Sequence, residues 1–156
     1  MNSDYFNEKM KRWDIYFHSV CEAVSSKSPC LSRQIGAILV RDNSIIASGY
    51  NGPARGYHHC KDQCPRKTMG FESGKGLEHC PAVHAEVNSV ANAARIGAMT
   101  VGGKLYMNCI IPCKDCMALL INAGISEIIV DEVTPYHELS LDMAAKCSIK
   151  IRSFVL

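Results

Sequence analysis

The second half of the chain alternates between short apolar runs and segments with helical spacing, and this alternation constrains the fold more than any other feature. Strands that alternate with helices pair in parallel, and the connecting helices then cover the faces of the sheet. Gly97 and Gly124 are placed to end two of the helices. The predicted order is a helix over Ala85–Ile96, a strand over Lys104–Ile110, a helix over Lys114–Ala123, a strand over Ser126–Asp131, a helix over Glu138–Ala145 and a strand over Cys147–Phe154.

The first half predicts one helix, one hairpin and one long loop. The first 26 residues have apolar side chains at helical spacing, and two strand-like runs, 35–40 and 45–50, flank a turn at 41–44. Between residues 51 and 83 the periodicity breaks down, which indicates an inserted loop that is functional or held by a ligand. We therefore expect a single domain over residues 1–156. Its class is α/β, a three-layer α/β/α sandwich around a five-stranded mixed sheet.

Composition excludes several classes of protein. With 47% hydrophobic and 21% charged residues, the chain is not disordered, collagen-like or a coiled coil. It has no apolar run long enough for a membrane span and no signal-like start, so we expect a cytoplasmic protein without a membrane partner, in the host cytoplasm if the source is viral. The net charge of +2 argues against a partner of long nucleic acid and leaves a small anionic substrate open.

Nine cysteines are an unusual number for a chain of 156 residues. In a reducing compartment such cysteines bind metals or perform chemistry more often than they form disulfides, and the odd number agrees with that. Burial as small apolar side chains explains Cys21, Cys109 and Cys147. The other six are Cys30, Cys60, Cys64, Cys80, Cys113 and Cys116.

Two short segments predict a catalytic zinc site. His84-Ala-Glu86 opens one predicted helix, and Pro112-Cys113-Lys-Asp-Cys116 opens another, which puts both cysteines on one face of a first helical turn. The helix dipole favours thiolates there, and two thiolates with one imidazole supply three of the four ligands of tetrahedral zinc. The fourth position is left for water, and Glu86 is the candidate base that takes its proton. The competing interpretation is a structural zinc knuckle with Glu86 as a bystander.

The sequence resembles the zinc-dependent cytidine and deoxycytidylate deaminases from about Trp13 to Phe154. HxE followed by PCxxC is the signature of that family. Further marks are Gly49-Tyr-Asn-Gly-Pro-Ala-Arg-Gly56, the cysteine-bearing insertion, Asn88 and Tyr136-His137. The resemblance implies a cytidine deaminase-like fold and the hydrolysis of dCMP to dUMP and ammonia, within pyrimidine nucleotide biosynthesis. It also implies that Glu86 moves protons from water to N3 of cytosine and to the departing amino group.

The same resemblance assigns substrate-binding residues. It implies that Asn51 hydrogen-bonds the sugar and that Tyr136 closes over the nucleotide near its phosphate. Tolerance of positive φ is the alternative role for Asn51, and plain packing is the alternative for Tyr136. The arginine that many family members place before the first strand is missing from Ser25-Ser-Lys-Ser28, so Lys27 or Arg33 is the candidate phosphate contact.

Regulation and assembly are implied in the same way. Relatives are often activated by dCTP and inhibited by dTTP at a subunit interface, which implies an allosteric homo-oligomer, expected to be a hexamer. Glycines let the backbone approach phosphates closely, and arginines supply charge. The candidate effector residues are Gly49, Gly52, Arg55, Gly56, Asn88 and Arg95. The alternative is a simple turn with a solvated arginine.

The insertion predicts a second, structural zinc. Cys60 and Cys64 are four residues apart, His79 and Cys80 follow, and Cys30 falls where some relatives supply a ligand. A closed four-ligand site of Cys30, Cys60, Cys64 and Cys80, with His79 as the alternate, would hold the insertion over the active site. Reduced thiols without a metal are the alternative.

Three competing functions stay open. A deaminase of the free nucleoside fits the missing arginine. A tRNA adenosine deaminase shares the zinc segments, but the interval from Asn51 to His84 is long for that class and the basic excess is slight. The third alternative is a zinc-stabilised binding module without activity, but such a module would give Glu86 no role.

Overall fold

A five-stranded mixed sheet forms the centre of the computed structural model, which describes residues 3–61 and 63–156. The strand order is β2-β1-β5-β6-β7. β1 pairs with β2 and β5 in antiparallel fashion, whereas β5, β6 and β7 are parallel. The predicted sheet is therefore confirmed. The strands are β1 Gly36–Arg41, β2 Ser44–Tyr50, β3 Gly52–Pro53, β4 Ala82–Val83, β5 Lys104–Ile110, β6 Glu127–Glu132 and β7 Lys150–Ser153.

Helices cover both faces of this sheet. Alternate residues of β1 separate the two cores: Ile38 and Val40 pack against Phe17 of the first helix, whereas Ala37 and Leu39 pack under the later helices. Because both faces are buried, the central strands are apolar at nearly every position. The three-layer sandwich is confirmed. The helices are α1 Ser3–Ser25 on one face, and α3 Ala85–Ile96, α4 Lys114–Asn122 and α5 Glu138–Lys146 on the other, with the short α2 Pro65–Thr68 in the insertion. None of the helices in the described part of the chain has the length and hydropathy needed to cross a bilayer.

The hairpin turn and the end of α3 agree with the sequence-based prediction, whereas the start of the last strand does not. Asp42 and Asn43 both have positive φ, 51° and 57°, which is the type I′ geometry of a two-residue hairpin. Gly97 ends α3 in the left-handed conformation, as predicted. The last strand is shorter than predicted, because α5 extends to Lys146 and Ser148 turns the chain with a φ of 59°.

The insertion between β2 and α3 is more structured than a loop. Its ends pair with each other, since Gly52 and Pro53 of β3 lie opposite Val83 and Ala82 of β4. The insertion also contains α2 and a 3₁₀ turn over Leu77–His79. Residues 1, 2 and 62, which fall within the predicted domain, lie outside the described residues.

Burial corrects one cysteine prediction. Cys21 and Cys109 are buried in the two cores, as the sequence indicates. Cys147 is exposed, since it follows the last turn of α5, where the chain leaves the helix surface to enter β7.

Candidate active site

Three metal-ligating side chains converge at the start of two helices. His84 is the residue before α3, and Cys113 is the residue before α4; both have extended backbone conformations. Cys116 lies in the first turn of α4 and is buried. β4 leads directly into α3, and β5 leads through Ile111 and Pro112 into α4, so the sheet fixes where both helices begin.

The distances between these three side chains suit zinc. His84 Nδ1 lies 3.7 Å from Cys113 Sγ and 3.4 Å from Cys116 Sγ. The ligand atoms all lie within 4.8 Å of one another. Zinc bonds of about 2.3 Å to sulfur and about 2.0 Å to nitrogen at tetrahedral angles require about 3.5 Å between nitrogen and sulfur. Within residues 3–61 and 63–156 this is the one group of three such side chains close enough to share an ion.

A hydrogen bond between the two thiols moves their pKa values in opposite directions. The hydrogen bond from Cys116 lowers the pKa of Cys113 to about 4, against the effect of its burial, and His84 adds to the lowering. The same hydrogen bond, together with burial, raises the pKa of Cys116. The hydrogen bond with Cys113 raises the pKa of His84. A dication bound to these three residues displaces the remaining proton, since zinc takes deprotonated ligands.

Glu86 lies in the first turn of α3, beside the ligands, and is only 4% exposed. Burial raises the pKa of its carboxyl group, which is also within hydrogen-bonding contact of Cys116. The Ser89 hydroxyl donates to the Glu86 carbonyl at 2.7 Å and is itself buried. A buried carboxyl group with a raised pKa, next to a three-residue ligand set, is suited to accept and return a proton near neutral pH.

Family comparison agrees with this geometry. Residues 11–132 match the model of the cytidine and deoxycytidylate deaminase zinc-binding region. The chain belongs to the cytidine and deoxycytidylate deaminase family. This match favours the zinc-binding region of an enzyme family over a structural zinc knuckle as the interpretation of the two motifs.

Curated relatives carry the name deoxycytidylate deaminase. The chain is 34% identical over 149 residues to that of Schizosaccharomyces pombe and 32% identical over 144 residues to that of Saccharomyces cerevisiae, with 92% and 91% of this chain covered. It spans less than half of those relatives, 44% and 45% of their length. A deoxycytidylate deaminase of Mycobacterium phage D29 is 33% identical over 122 residues, which cover 75% of this chain and 92% of the phage protein.

A solved structure shares the fold over nearly its full length. The dCMP deaminase from the cyanophage S-TIM5, in complex with dCMP and dUMP, superimposes with a TM-score of 0.69 at 22% identity and covers 98% of both chains. At that identity the likeness confirms the cytidine deaminase-like fold.

Asn51 is buried, and its side-chain amide already makes two hydrogen bonds to backbone groups. Its Nδ2 donates to the carbonyl of Arg33 at 2.7 Å, and its Oδ1 accepts from the amide of Ile35 at 2.8 Å. Asn51 has no positive φ, so the alternative role as a turn residue is wrong. Two bonds leave one N–H and one lone pair of the amide for a ligand.

Tyr136, Lys27 and Arg33 are all exposed. Tyr136 is 55% exposed and contacts the ring of His137 at 4.7 Å, so plain packing is wrong as its role within this chain. The pKa of Asp115 in α4 is lowered, mainly by Lys114 and also by His137, which places this loop beside the start of α4. Burial raises the pKa of Cys109, and the nearby charge of Arg33 opposes it. Arg33 therefore lies near the active-site end of β5.

The residues predicted to bind an effector have individual structural roles. Gly49 lies directly under α3: a Cβ there would be 2.3 Å from Ser89 N and 2.7 Å from Ala85 O. Asn88 Nδ2 donates to the carbonyl of Tyr50 at 2.8 Å. The requirement for glycine at position 49 is thus explained by packing between strand and helix.

The other candidates lie in the segment after β2 and in α3. Gly52 is buried against Pro29, whereas Gly56 is exposed with a φ of 84°. Arg55 Nη2 donates to Asn92 Oδ1 at 2.9 Å, and Arg95 is exposed in the last turn of α3. Arg55 is exposed, so the alternative of a turn with a solvated arginine stays a prediction.

Cys30 and the three insertion cysteines Cys60, Cys64 and Cys80 are neighbours, but no three of them bring their Sγ atoms within 4.8 Å of one another. Burial raises the pKa of Cys60, and the nearby thiols of Cys64, Cys80 and Cys30 raise it further. All four are free thiols. The alternate ligand His79 has its ring 5.6 Å from the ring of Phe71.

Sequence reasoning missed three polar residues that organise the site. Ser28 is 2% exposed, donates to the carbonyl of Asn51 at 2.7 Å and accepts from the amide of Cys30 at 3.2 Å. Asn92 Nδ2 donates to the carbonyl of Ser48 while its Oδ1 holds Arg55. Arg66 is the third, buried in the insertion. No motif marks these positions, because their hydrogen-bond partners include groups between six and 44 residues away in the sequence.

Proposed function

We propose that this chain hydrolyses dCMP to dUMP and ammonia with zinc as its cofactor. The observation that carries the proposal is the buried Glu86 beside a ligand set of one histidine and two cysteines. The names of the curated relatives and the nucleotides in the cyanophage structure support dCMP as the substrate. When bound to His84, Cys113 and Cys116, zinc supplies Lewis-acid activation of water at neutral pH.

Different residues of the chain then transfer protons and bind the substrate. Glu86 accepts the proton of the attacking water and delivers protons to N3 and to the leaving amino group, so that water adds at C4 and ammonia departs. Asn51, with one N–H and one lone pair left, is proposed to hold the sugar. Tyr136, exposed beside the start of α4, is proposed to close over the nucleotide.

Arg33 is favoured over Lys27 as the contact for the substrate phosphate. Its charge acts on Cys109, near the active-site end of β5, and Asn51 holds its carbonyl. Lys27 lies in the turn after α1, beside the buried Ser28. The missing upstream arginine is also the observation that favours the second candidate function, a deaminase of the free nucleoside.

A second zinc in the insertion is part of the proposal. What supports it is the proximity of the thiols of Cys64, Cys80 and Cys30 to Cys60. Four thiols in one neighbourhood, all reduced, form the donor set of a structural zinc site when a metal draws them together.

Regulation and assembly complete the proposal. We infer activation by dCTP and inhibition by dTTP at the loop of Gly52, Arg55 and Gly56, and a homohexamer. Exposed aromatic residues on α1, Tyr5 at 66% and Phe6 at 64%, support burial against another copy. Nine reduced cysteines favour the cytoplasm, that of the host for a viral protein, as the compartment.

The deciding experiment measures ammonia release by the zinc-loaded full chain. The substrates are dCMP, deoxycytidine and an adenosine-bearing tRNA stem-loop, each with and without dCTP or dTTP. We expect turnover of dCMP, faster with dCTP and slower with dTTP, and little of deoxycytidine. Turnover of deoxycytidine alone would establish the nucleoside deaminase instead, and no turnover of any substrate by zinc-loaded protein would establish a binding module.

A further inference from the structure

A small cleft lies between the insertion and the turn that follows Cys30. Its volume is about 260 Å³, and its walls include Ser32 on one side and Arg66, Lys67, Phe71 and Ser73 on the other. The ring of His79 stacks on Phe71 and supports that wall. The cleft is thus bounded by two cations, two hydroxyl groups and one aromatic ring, with no carboxylate side chain among the residues that line it.

Arg66 is the residue that makes this cleft unusual. It is 8% exposed, its Nε donates to the carbonyl of Lys75 at 2.7 Å, and its Nη2 donates to the carbonyl of Glu72 at 3.0 Å. These two bonds fix the plane of the guanidinium group. Nη1 has no hydrogen-bond partner among residues 3–61 and 63–156, yet it is not among their enclosed unpartnered atoms, so it faces solvent.

The charge of Arg66 lacks a counter-ion in the described part of the chain. The ion pairs found there join other residues, and none includes Arg66 or Lys67. Buried charges in proteins are normally paired, because an unpaired one loses its hydration without compensation. Among residues 3–61 and 63–156, Arg66 is held by two carbonyl groups with one nitrogen left open, and it is therefore suited to bind an anion.

Lys67 adds a second cation to the same cleft. Its Nζ lies 3.5 Å from the carbonyl of Leu31, on the opposite wall, so it bridges the two sides. A fixed guanidinium group with one open nitrogen, an ammonium group and hydroxyl donors are together groups that recognise phosphate oxygens in proteins.

We propose that this cleft binds a phosphate group, with Arg66 and Lys67 as the cations and the hydroxyl groups of Ser32 and Ser73 as further donors. The phosphate belongs either to the monophosphate substrate or to a separate nucleotide effector. Binding itself does not depend on the deamination proposed above, whereas the identity of the phosphate-bearing molecule rests on it.

The competing explanation is that these cations balance thiolates. Cys64 lines the same cleft, and a zinc ion held by four thiolates carries net negative charge. In that case Arg66 and Lys67 serve the metal and have no affinity for phosphate. The two explanations differ in the response to added phosphate.

The test is titration of the zinc-loaded full chain with inorganic phosphate, followed by calorimetry and by the phosphorus NMR linewidth. The test variant is Lys67→Gln, which removes one charge from the cleft wall. The matched control is Lys75→Gln, which removes one charge from the same insertion at an exposed side chain that does not line the cleft. We expect the affinity for phosphate to fall about tenfold in Lys67→Gln, as for loss of a charged hydrogen bond, and to be unchanged in Lys75→Gln.

Kinetics then identify the source of the phosphate. If Lys67→Gln raises KM for dCMP but leaves deoxycytidine turnover unchanged, the cleft takes the substrate phosphate. If KM for dCMP is unchanged and the response to dCTP or dTTP weakens, the cleft takes an effector phosphate. Absence of phosphate binding to the wild type, or equal affinity in wild type and Lys67→Gln, overturns the proposal in favour of thiolate balance. Phosphate binding without any dCMP turnover leaves the cleft assigned and rejects the deaminase.

Discussion

The two cysteine groups of this chain differ in how completely the fold assembles them. His84, Cys113 and Cys116 lie within 4.8 Å of one another, because each is attached to the start of a helix that the sheet fixes in place. Cys30, Cys60, Cys64 and Cys80 are neighbours on turns and irregular segments, and no three of their Sγ atoms lie within 4.8 Å of one another. Ligands on regular elements are positioned before the metal arrives, whereas ligands on an insertion depend on the metal to bring them together.

The largest expected effect tests the assembled group. Glu86→Gln keeps the size of the side chain but removes the proton acceptor, so we expect turnover of dCMP to fall by about 10²–10⁴ while zinc stays bound. Ammonia release and metal content per chain are the measurements. Glu22→Gln on the exposed surface of α1 is the control and should keep full activity. Full turnover by Glu86→Gln would falsify the proton role.

Cysteine substitutions directly test whether the two groups of cysteines bind metal independently. Cys116→Ser should lose the catalytic zinc and turnover while the insertion stays resistant to protease. Cys60→Ser should show the opposite pattern: the catalytic zinc is retained, and cleavage between residues 54 and 81 becomes fast. Zinc content and limited proteolysis report both.

The exposed Cys147→Ser variant is the control, because Cys147 belongs to neither group. If Cys60→Ser retains all of its zinc and its protease resistance, the insertion holds no metal, and its own backbone pairing and the hydrogen bonds of Arg66 organise it.

A smaller effect is expected at the residue that joins the two regions. The Ser28 hydroxyl bonds both the carbonyl of Asn51 and the amide of Cys30. Ser28→Ala leaves these two groups unpaired in a buried place, which should lower the free energy of unfolding by about 1–3 kcal/mol. Urea denaturation measures it, with the exposed Ser26→Ala as control.

The Ser28→Ala variant also has a kinetic readout. Because Asn51 is the proposed sugar contact, we expect KM for dCMP to rise with kcat little changed. A rise in stability, or a fall in kcat alone, would contradict the role of Ser28 as a link between the insertion and the substrate-binding side.

The smallest expected effect is on stability and concerns Glu127 of β6, in the central sheet. Burial alone would raise the pKa of Glu127, but hydrogen bonds from Lys104 and Arg152 outweigh it and the pKa is lowered. A lowered folded-state pKa contributes stability above the unfolded value of about 4.3 that is lost as the pH falls through the folded value. Urea midpoints at neutral and acid pH should therefore show a smaller acid loss for Glu127→Gln than for wild type. An equal acid loss in both would mean that other carboxylates dominate.

Local patterns predicted the fold and the grouping of the candidate zinc ligands, because both depend on short segments. The hairpin turn at Asp42 and Asn43, the glycine that ends α3 and the cysteines of the first turn of α4 are each specified by a few adjacent residues. Two such segments suffice to place the zinc ligands once the order of strands and helices is known. The same reasoning named Glu86, which the structure places next to them.

What the sequence did not reveal depends on contacts between distant segments. Ser28 is defined by a bond to residue 51, and Asn92 by bonds to residues 48 and 55. Arg66 has the sequence context of an ordinary surface arginine, and only the structure shows that it is buried and has no ion-pair partner among the described residues. Cys147 was misplaced because the end of α5, not the composition of the segment, decides its exposure.

Gly49 has a mechanical consequence for the catalytic helix. With Ser89 N and Ala85 O so close to the position that a side chain would take, α3 rests directly on the backbone of β2 at Gly49. The helix that follows His84 and contains Glu86 therefore cannot move closer to the sheet at this point, and we expect it to stay fixed. We expect opening and closing around a nucleotide to come from the segments that lie free of this contact, the loop of Tyr136 and the insertion.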